Sequence, residues 1–374
     1  MDMTKTRIAV AVSGGVDSLY ALVALKERGE KPLALHARML PPDLAPTGYD
    51  SMLDRMGEIC VSLNVPLSII DCADAFADAV INPFVRAYAA GVTPNPCAHC
   101  NASIKFGLLL DQARTLGATR LATGHYIRLE QTETGVALYA GQDATKDQSY
   151  FLSLVVRERL NFAVAPLADK SKDEIRAYLA ARKLDPPAPG ESQEICFVPN
   201  DNYRAFLESR AARIGVQLPG PGSVTLLDGT VIGTHKGLWQ YTEGQRRGLG
   251  IAWCEPLYVL AKNMENNTLV AGGAQSLGGC EVWTENCNFL VPLEKWPKTV
   301  FARTRFRQKP RPVKATFIGE HLVLAEETPS GPHACGQIAT VYDADMRVLA
   351  GGVIVSPKGK SEGDGKFLKG ALPL

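Results

Sequence analysis

A short β-branched run at residues 7–12 ends directly in the small residues Ser13, Gly14 and Gly15. Apolar side chains then recur with helical spacing between residues 19 and 25. A strand that passes through a glycine-rich turn into a helix is the unit from which parallel α/β sheets are built. The amino-terminal region is therefore predicted to begin an α/β domain.

The same alternation continues along the chain. Further strands are predicted at 33–37, 67–70 and 119–123, and helices at 51–63 and 104–116. A helix at 172–183 carries a capping box formed by Ser171 and Glu174, and another helix is expected at 203–214. Strands that alternate with helices at these lengths predict an α/β fold with a doubly wound parallel sheet.

The last 150 or so residues have a different pattern. The sequence PGPG at 219–222 marks a boundary, and short β-prone runs such as 256–260 and 337–342 follow it. We predict a first domain at 1–205, a small β-rich central domain at 206–280 and a further β module at 281–374.

Composition excludes several classes of protein. Of 374 residues, 46% are apolar and 21% are charged, which is typical of a globular protein of several domains. The first residues lack an apolar leader with a cleavage site, and no apolar run reaches 18 residues, so neither secretion nor a membrane span is expected. Nine cysteines, an odd number, favour a reducing cytoplasm and thiols with a catalytic or metal-binding role.

The six residues 13–18, SGGVDS, lie where backbone N–H groups and the positive end of a helix converge on an anion. The chain contains no GxxxxGK[ST] sequence, so this is not the P-loop. A bare SGG would be an ordinary tight turn. The longer string resembles the pyrophosphate-binding loop of the N-type ATP pyrophosphatases, which adenylate a substrate and release pyrophosphate.

That resemblance implies ATP and Mg²⁺ as cofactors, with Asp17 as the magnesium-associated carboxylate. The nucleotide would lie against the loop and its flanks, Ala11, Val12, Ser13, Gly14, Gly15, Val16, Asp17 and Ser18. Argininosuccinate, NAD and GMP synthetases share such a loop, so it indicates a reaction type and not a substrate.

Two cysteine segments point to thiol chemistry. Cys97 and Cys100 form a CxxC pair in a turn-rich stretch that opens onto a helix, a position where a thiol can lose its proton more easily. Cys100 is therefore a candidate nucleophile, and Cys196 is presented by a second polar segment, 191–197. A zinc site would need His99 or Cys196 to complete it. The other cysteines are interpreted as small apolar side chains: Cys60, Cys72, Cys254, Cys280, Cys287 and Cys335.

The two cysteine segments closely resemble those of one family, the bacterial tRNA-specific 2-thiouridylases. The segments 122–126, 146–152, 242–251 and 331–337 do so as well, in family order between about residues 7 and 355. The resemblance implies that the last module is a β-barrel that contacts tRNA. It also implies a cysteine desulfurase or sulfur-relay protein as the sulfur donor.

Matched motif by motif, Cys100 corresponds to the family's nucleophile and Cys196 to its persulfide carrier. The segment touching the target base corresponds to Asn95, Pro96 and Cys97. Gly124 would contact the nucleotide, and the residues matched to tRNA are His125, Lys146, Asp147, Gln148, Arg305, Phe306 and Gln337. Many members have Asp where this chain has Cys97, and either Ala37 or Met39 takes the place of an adenine-contacting Met.

The chemistry expected from this resemblance is thiolation of the anticodon wobble uridine. The C2 oxygen of uracil is a poor leaving group, so adenylation would activate it before sulfur from a Cys196 persulfide replaces it. Cys100 would release sulfide from the persulfide or form a disulfide with Cys196 as the sulfur leaves. An alternative is a [4Fe–4S] cluster on Cys97, Cys100 and Cys196 that carries the sulfide on an open iron.

The net charge is only +1, but one segment is strongly basic. Between residues 302 and 311 a basic residue occupies every second position, at Arg303, Arg305, Arg307, Lys309 and Arg311. On a strand these side chains would share one face. Such a face fits either an edge strand protected by charge or an RNA backbone.

Two rival functions remain at this point. An adenylating synthetase for a small metabolite would share SGGVDS but would need neither the paired cysteines nor the basic segment. An RNA-binding protein or thiol sensor could retain a nucleotide site without catalysis.

Overall fold

The first strand, β1 (Ile8–Ala11), lies at the centre of a five-stranded parallel sheet. The computed structural model describes residues 7–133, 135–188, 190, 195–279, 281–328 and 331–356. The other strands of this half are β2 (Leu33–Arg38), β3 (Leu67–Asp71), β4 (Arg120–Ala122), β5 (Ile127–Thr132), β6 (Gly135–Ala140) and β7 (Ala163–Val164). The sheet order is β3-β2-β1-β4-β7, and β5 and β6 form a separate hairpin.

Helices connect these strands. The α-helices are α1 (Val16–Glu27), α2 (Tyr49–Ser62), α3 (Ala73–Phe76), α4 (Asn82–Ala89), α5 (Pro96–Cys100), α6 (Leu110–Thr115), α7 (Ser149–Leu152), α8 (Arg157–Leu160), α9 (Lys172–Ala180) and α10 (Tyr203–Arg213). Two π-helical stretches, Ala77–Ile81 and Asn101–Leu109, join α3 to α4 and α5 to α6. Ser171 caps α9 in the predicted capping box with Glu174.

The sheet is buried on both faces. Successive side chains of β1 point to opposite faces, so each face contributes to a different core. Ile8 and Val10 pack in a core with α1, α2 and α9, whereas Ala9 packs in a second core with Phe106 and Leu109. The predicted doubly wound α/β fold is confirmed. No helix within the described ranges has the length and apolar character needed to cross a membrane.

A four-stranded sheet follows, with the order β10-β11-β8-β9. Its strands are β8 (Gly222–Thr225), β9 (Val231–His235), β10 (Tyr258–Asn263) and β11 (Thr268–Gly272). The sheet has a small core of its own around Val224, Val259 and Leu269, all fully buried. The predicted central β-rich module is therefore present, while its exact boundaries stay predictions.

The last module is a closed six-stranded barrel, as expected. Its order is β12-β15-β14-β13-β16-β17. The strands are β12 (Glu281–Phe289), β13 (Val300–Arg303), β14 (Arg311–Ile318), β15 (His321–Glu326), β16 (Ile338–Tyr342) and β17 (Val348–Val355). Closure pairs each strand on both sides and so removes exposed sheet edges.

The prediction of one basic strand across residues 302–311 is wrong. Strand β13 ends at Arg303, and β14 begins only at Arg311. Between them Gln308 accepts a hydrogen bond from the backbone N–H of Thr304 at 2.9 Å, and Arg307 has a left-handed backbone with φ 66°. This turn sends the cations in different directions, so they do not form one face.

Arg303 itself is buried in an ion pair with Asp147 of the first module. The two side chains are 8% and 1% exposed, and Arg303 Nη1 lies 2.8 Å from Asp147 Oδ2. Removal of one partner leaves the other charge buried without compensation, which is far more costly than loss of an exposed pair.

We therefore expect Asp147→Asn to lower the free energy of unfolding by about 3–5 kcal/mol. Urea denaturation monitored by circular dichroism would measure the change. The control is Glu130→Gln, which breaks the half-exposed Arg128–Glu130 pair and should cost about 1 kcal/mol or less. Equal effects of the two substitutions would contradict the structural role of Arg303 and Asp147.

Candidate active site

The loop between β1 and α1 is closed by Ser18. Its hydroxyl accepts from the backbone N–H of Ser13 at 3.1 Å and donates to the carbonyl of Gly15 at 3.0 Å. Gly14 has φ 87°, a conformation that favours glycine. Gly15 is the N-cap residue of α1 and has no side chain to cap the helix, so the N–H groups of its first turn are available to an anion.

Gly124, two residues after the end of β4, packs against this loop. A Cβ atom at this position would lie 3.0 Å from the backbone of both Asp17 and Ser18. A larger residue would therefore push the loop away. This contact supports the expectation that Gly124 borders the nucleotide.

Ala37 and Met39 lie at the carboxyl end of β2, which pairs with β1, the strand that leads into the loop. Ala37 is within β2 and Met39 follows it, and both are half-buried. Ligands of open parallel sheets bind beyond the carboxyl ends of the strands, where both residues lie. Both remain predicted contacts for the adenine.

The Asp17 carboxylate is held by two side chains that sequence reasoning missed. Lys172 Nζ, in the first turn of α9, lies 2.8 and 2.9 Å from its two oxygens. The hydroxyl of Tyr126 donates to Oδ1 at 2.7 Å. Mg²⁺ is commonly bound through one or two protein carboxylates together with substrate phosphates, and the Asp17 carboxylate, in the first turn of α1, fits that role.

The thiols form a second part of the site. Cys100 is the last residue of α5 and is 7% exposed, Cys97 is half-buried, and Cys196 is exposed in the loop after residue 195. The pKa of Cys100 is raised to about 12, mainly by burial; Lys105 opposes the rise, and Cys196, Cys97 and Cys72 make smaller contributions to it. Cys100 packs in one apolar core with Ile195 and Phe197, the neighbours of Cys196, so the two cysteine segments lie together.

The expectation that the Cys100 thiol loses its proton easily is wrong. Cys100 lies just after the first turn of the continuous helix 96–115, but apolar side chains surround it and their effect outweighs that of the helix end. Burial also raises the pKa of Cys196 to about 11, although part of this residue remains open to solvent. A thiolate at this site therefore needs a compensating positive charge.

The eight cysteines in the described part of the chain are free thiols. Cys60 and Cys72 are buried as expected, but Cys254 is exposed, so its interpretation as a core residue is wrong. Cys280 and residues 191–194 lie outside the described residues. Among the described residues, no three His, Cys, Asp or Glu side chains are placed to hold a metal ion.

Several residues predicted to contact tRNA have structural partners. Asn95 caps α5 by accepting from the N–H of Ala98 at 3.1 Å. Gln148 accepts from the N–H of Tyr126 at 3.0 Å, and Asp147 is paired with Arg303. Pro96 is the first residue of α5. Lys146 is half-buried and directly precedes Asp147 and Gln148.

His125 is buried, with Nδ1 2.8 Å from the hydroxyl of Thr123. Its Nε2 lies 3.5 Å from Lys105 Nζ. Burial holds the pKa of His125 well below its usual value, and the charge of Lys105 lowers it further. His125 is therefore neutral at physiological pH.

The barrel and the central module both contact the cysteine segment, the latter through Thr242, whose hydroxyl lies 3.1 Å from that of Thr93. Gln337 donates to the carbonyls of Thr93 and Pro94 at 2.9 and 3.2 Å. Arg305 donates to the carbonyls of Glu243 and Pro332, each at 3.0 Å. These residues border a cavity of about 370 Å³ lined by Thr242, Glu243, Gly244, Gln245, Arg305, Ala334 and Gln337.

Phe306 packs on Phe151 with ring centroids 4.4 Å apart, next to the buried Tyr150. The turn that separates β13 from β14 thus places Phe306 against the first module and Arg305 at the cavity. Both positions are adjacent to the cysteine segment, whereas a continuous strand would have placed them on opposite faces.

Known proteins match this chain over nearly its whole length. Residues 6–200 match a family model described as the tRNA methyl transferase HUP domain, and residues 211–273 match the tRNA methyl transferase PRC-barrel domain. A protein named tRNA-specific 2-thiouridylase MnmA from Nitratidesulfovibrio vulgaris (strain DSM 19637 / Miyazaki F) is 53% identical over 94% of this chain and 99% of its own length. This chain belongs to the tRNA-specific 2-thiouridylase family.

A more distant 2-thiouridylase, from Persephonella marina, is 39% identical over 93% of this chain and all of its own length. Among solved structures, the U34-tRNA thiolase NcsA from Methanococcus maripaludis with its [4Fe-4S] cluster has a TM-score of 0.35 and 16% identity, over 56% of this chain and 66% of that chain. That likeness is too low to support an argument. The family resemblance found in the motifs is confirmed by the full-length 2-thiouridylases.

We expect Gly124→Ala to weaken ATP binding by about tenfold, equivalent to about 1.4 kcal/mol, because the added methyl group would lie 3.0 Å from the backbone of Asp17 and Ser18 and displace the loop. Isothermal titration with ATP would measure the affinity. Gly57→Ala is the matched control, since a Cβ there meets nothing within 4 Å. Equal ATP affinity in the two variants would refute the placement of the nucleotide beside Gly124.

Proposed function

We propose that this chain is an ATP-dependent tRNA 2-thiouridylase that adenylates the wobble uridine of tRNA and replaces its C2 oxygen with sulfur. The proposal rests on two groups of residues that occur in one chain of this family. We call them the adenylation half-site, which is the loop 13–18 with Asp17, and the sulfur half-site, which is Cys100 with Cys196. A pyrophosphate-type loop with Asp17 follows the carboxyl end of the central strand of the parallel sheet, and Cys100 packs in one apolar core with Ile195 and Phe197, the two neighbours of Cys196.

In the adenylation half-site, the loop 13–18 would bind the phosphates of ATP through backbone N–H groups. Bound Mg²⁺ would neutralise phosphate charge during the attack of the uridine C2 oxygen on the α-phosphate. Asp17 would hold the metal ion, and Lys172, released from Asp17, would contact the departing pyrophosphate. The structure supports this exchange because Lys172 already lies within 3 Å of Asp17.

In the sulfur half-site, Cys196 would accept a sulfur atom from a desulfurase or sulfur-relay protein and carry it as a persulfide. The Cys100 thiolate would attack the Cys196 sulfur of the persulfide, so that a Cys100–Cys196 disulfide forms and hydrosulfide leaves. Hydrosulfide would then attack C2 of the adenylated uridine and expel AMP. An external dithiol would reduce the disulfide and restore both thiols.

The same residues permit a second order of events. The terminal sulfur of the persulfide would attack C2 first and expel AMP, and Cys100 would then attack Cys196 and release the thiocarbonyl product. Both routes end in the same disulfide and consume the same two electrons. In both routes tRNA would enter near Asn95, Pro96 and Cys97, with Lys146, Arg305, Phe306 and Gln337 around it.

The two thiols have different expected roles, which substitution separates. Cys196→Ser should block loading of sulfur from a desulfurase, whereas Cys100→Ser should load sulfur and fail to make 2-thiouridine. Mass spectrometry of the protein and of digested tRNA would measure both. Cys254→Ser, at an exposed thiol, is the control and should do both normally.

Equal loading in the Cys100 and Cys196 variants would refute this division of roles. Thiolation that follows the iron content of anaerobically purified protein, and that is lost in Cys97→Ala, would instead favour an iron–sulfur route.

The Lys172 interaction gives a test of the adenylation half-site. Lys172→Met should lower tRNA-dependent pyrophosphate release by about 10²-fold, because a charged contact to the developing phosphate charge is lost. Lys170→Met is the control, since Lys170 pairs with Asp169 at 3.1 Å and not with Asp17. Pyrophosphate release that does not depend on unmodified tRNA would favour a small-metabolite synthetase instead.

A further inference from the structure

The two oxygens of the Asp17 carboxylate have different partners. Lys172 Nζ lies 2.8 Å from Oδ1 and 2.9 Å from Oδ2, whereas the Tyr126 hydroxyl donates to Oδ1 alone, at 2.7 Å. Among the hydrogen bonds of the described residues, Lys172 is the one donor to Oδ2. The Asp17 side chain is 31% exposed, so its carboxylate is open to a ligand.

The backbone of Tyr126 is held on both sides of the residue. Its N–H donates to Oε1 of Gln148 at 3.0 Å, and its carbonyl accepts from the backbone N–H of Gln148 at 3.1 Å. A Cβ atom on Gly141 would lie 2.7 Å from the same carbonyl, so the chain after β6 packs directly against it. These contacts fix the position from which the Tyr126 side chain extends.

The ring of Tyr126 is fixed as well. The residue is 4% exposed and packs in the core that includes Val16 and Leu19 of α1. Close packing in a core leaves a ring little freedom, so the hydroxyl keeps its place whether or not a ligand is bound. Lys172 differs, because its ammonium sits on a flexible four-carbon chain and can move to another partner.

We propose that Tyr126 is a positioning residue for the metal-binding carboxylate: its hydroxyl holds Oδ1 of Asp17 and so presents Oδ2 to Mg²⁺. The inference rests on the proposed adenylation half-site, in which Lys172 leaves Asp17. Tyr126 then remains on Oδ1, while Oδ2 loses its donor and becomes free to bind a cation. Residues that hydrogen-bond a metal-binding carboxylate orient it, and their loss weakens metal binding by about 10–100-fold.

The test is binding of the α,β-methylene analogue of ATP, whose α–β bond is not cleaved, to the full-length protein without tRNA. Isothermal titration would measure the affinity in EDTA and at increasing Mg²⁺ concentration. In Tyr126→Phe, which keeps the ring in the core, the Mg²⁺ concentration that gives half of the gain in affinity should rise about tenfold. The affinity in EDTA should be unchanged, because the hydroxyl contacts the carboxylate and not the nucleotide.

The matched control is Tyr178→Phe. The Tyr178 hydroxyl also donates to a carboxylate of α1, Oε2 of Glu27 at 2.5 Å, but Glu27 is the last residue of that helix and Asp17 lies in its first turn. This variant loses the same group from the same helix and should keep the wild-type Mg²⁺ dependence. Thermal unfolding would verify that each variant is folded.

A double variant shows whether Tyr126 acts through Asp17. Asp17→Ala should lose the gain in affinity that Mg²⁺ gives. Addition of Tyr126→Phe to Asp17→Ala should then change nothing further, because effects that pass through one shared group are not additive.

An unchanged Mg²⁺ dependence in Tyr126→Phe would overturn the proposal, as would a wild-type affinity that Mg²⁺ does not alter. A loss of affinity as large in EDTA as in Mg²⁺, or a further loss in the double variant, would also overturn it and make Tyr126 a nucleotide contact. If the Tyr126 effect is found but the wild-type chain makes no 2-thiouridine, the proposed function fails while the role of Tyr126 toward Asp17 stands.

Discussion

The arrangement of the site depends on the buried ion pair between Arg303 of the barrel and Asp147 of the first module. A buried ion pair adds little stability over an apolar contact of the same size. It does restrict how the barrel can pack on the first module, because each buried charge must meet its partner. Asp147 also accepts from the N–H of Ser149, and Tyr150 donates to the carbonyl of Ile338 at 3.0 Å. The barrel is therefore fixed against α7, and Gln337 of the same barrel reaches the cysteine segment.

The sequence predicted the parts of this molecule that local patterns determine. The β1–loop–α1 unit and the α9 capping box depend on neighbouring residues, so both could be derived before the structure was known. The basic segment at 302–311 was misinterpreted because alternation alone cannot show that Arg303 is buried against a residue 156 positions earlier. The reactivity of Cys100 was misjudged for a similar reason, since its burial arises from α3, α4 and the loop after residue 195.

Burial and charge act in opposite directions on the thiols. An apolar environment protects Cys100 from adventitious oxidation, but the same environment penalises the thiolate that sulfur transfer requires. A positive charge near the thiols would satisfy both demands, because it favours the anion without opening the site to water.

The proposed half-sites are connected by three consecutive residues, Gly124, His125 and Tyr126, which follow β4 and Thr123. Gly124 packs against the loop 13–18, His125 Nε2 lies 3.5 Å from the ammonium of Lys105 on the helix after Cys100, and Tyr126 donates to Asp17. A movement of this segment on nucleotide binding would therefore be felt by Asp17 and by Lys105 together. In the proposed reaction adenylation must precede the displacement of oxygen by sulfur, and this segment joins the loop 13–18 to the helix that continues from Cys100.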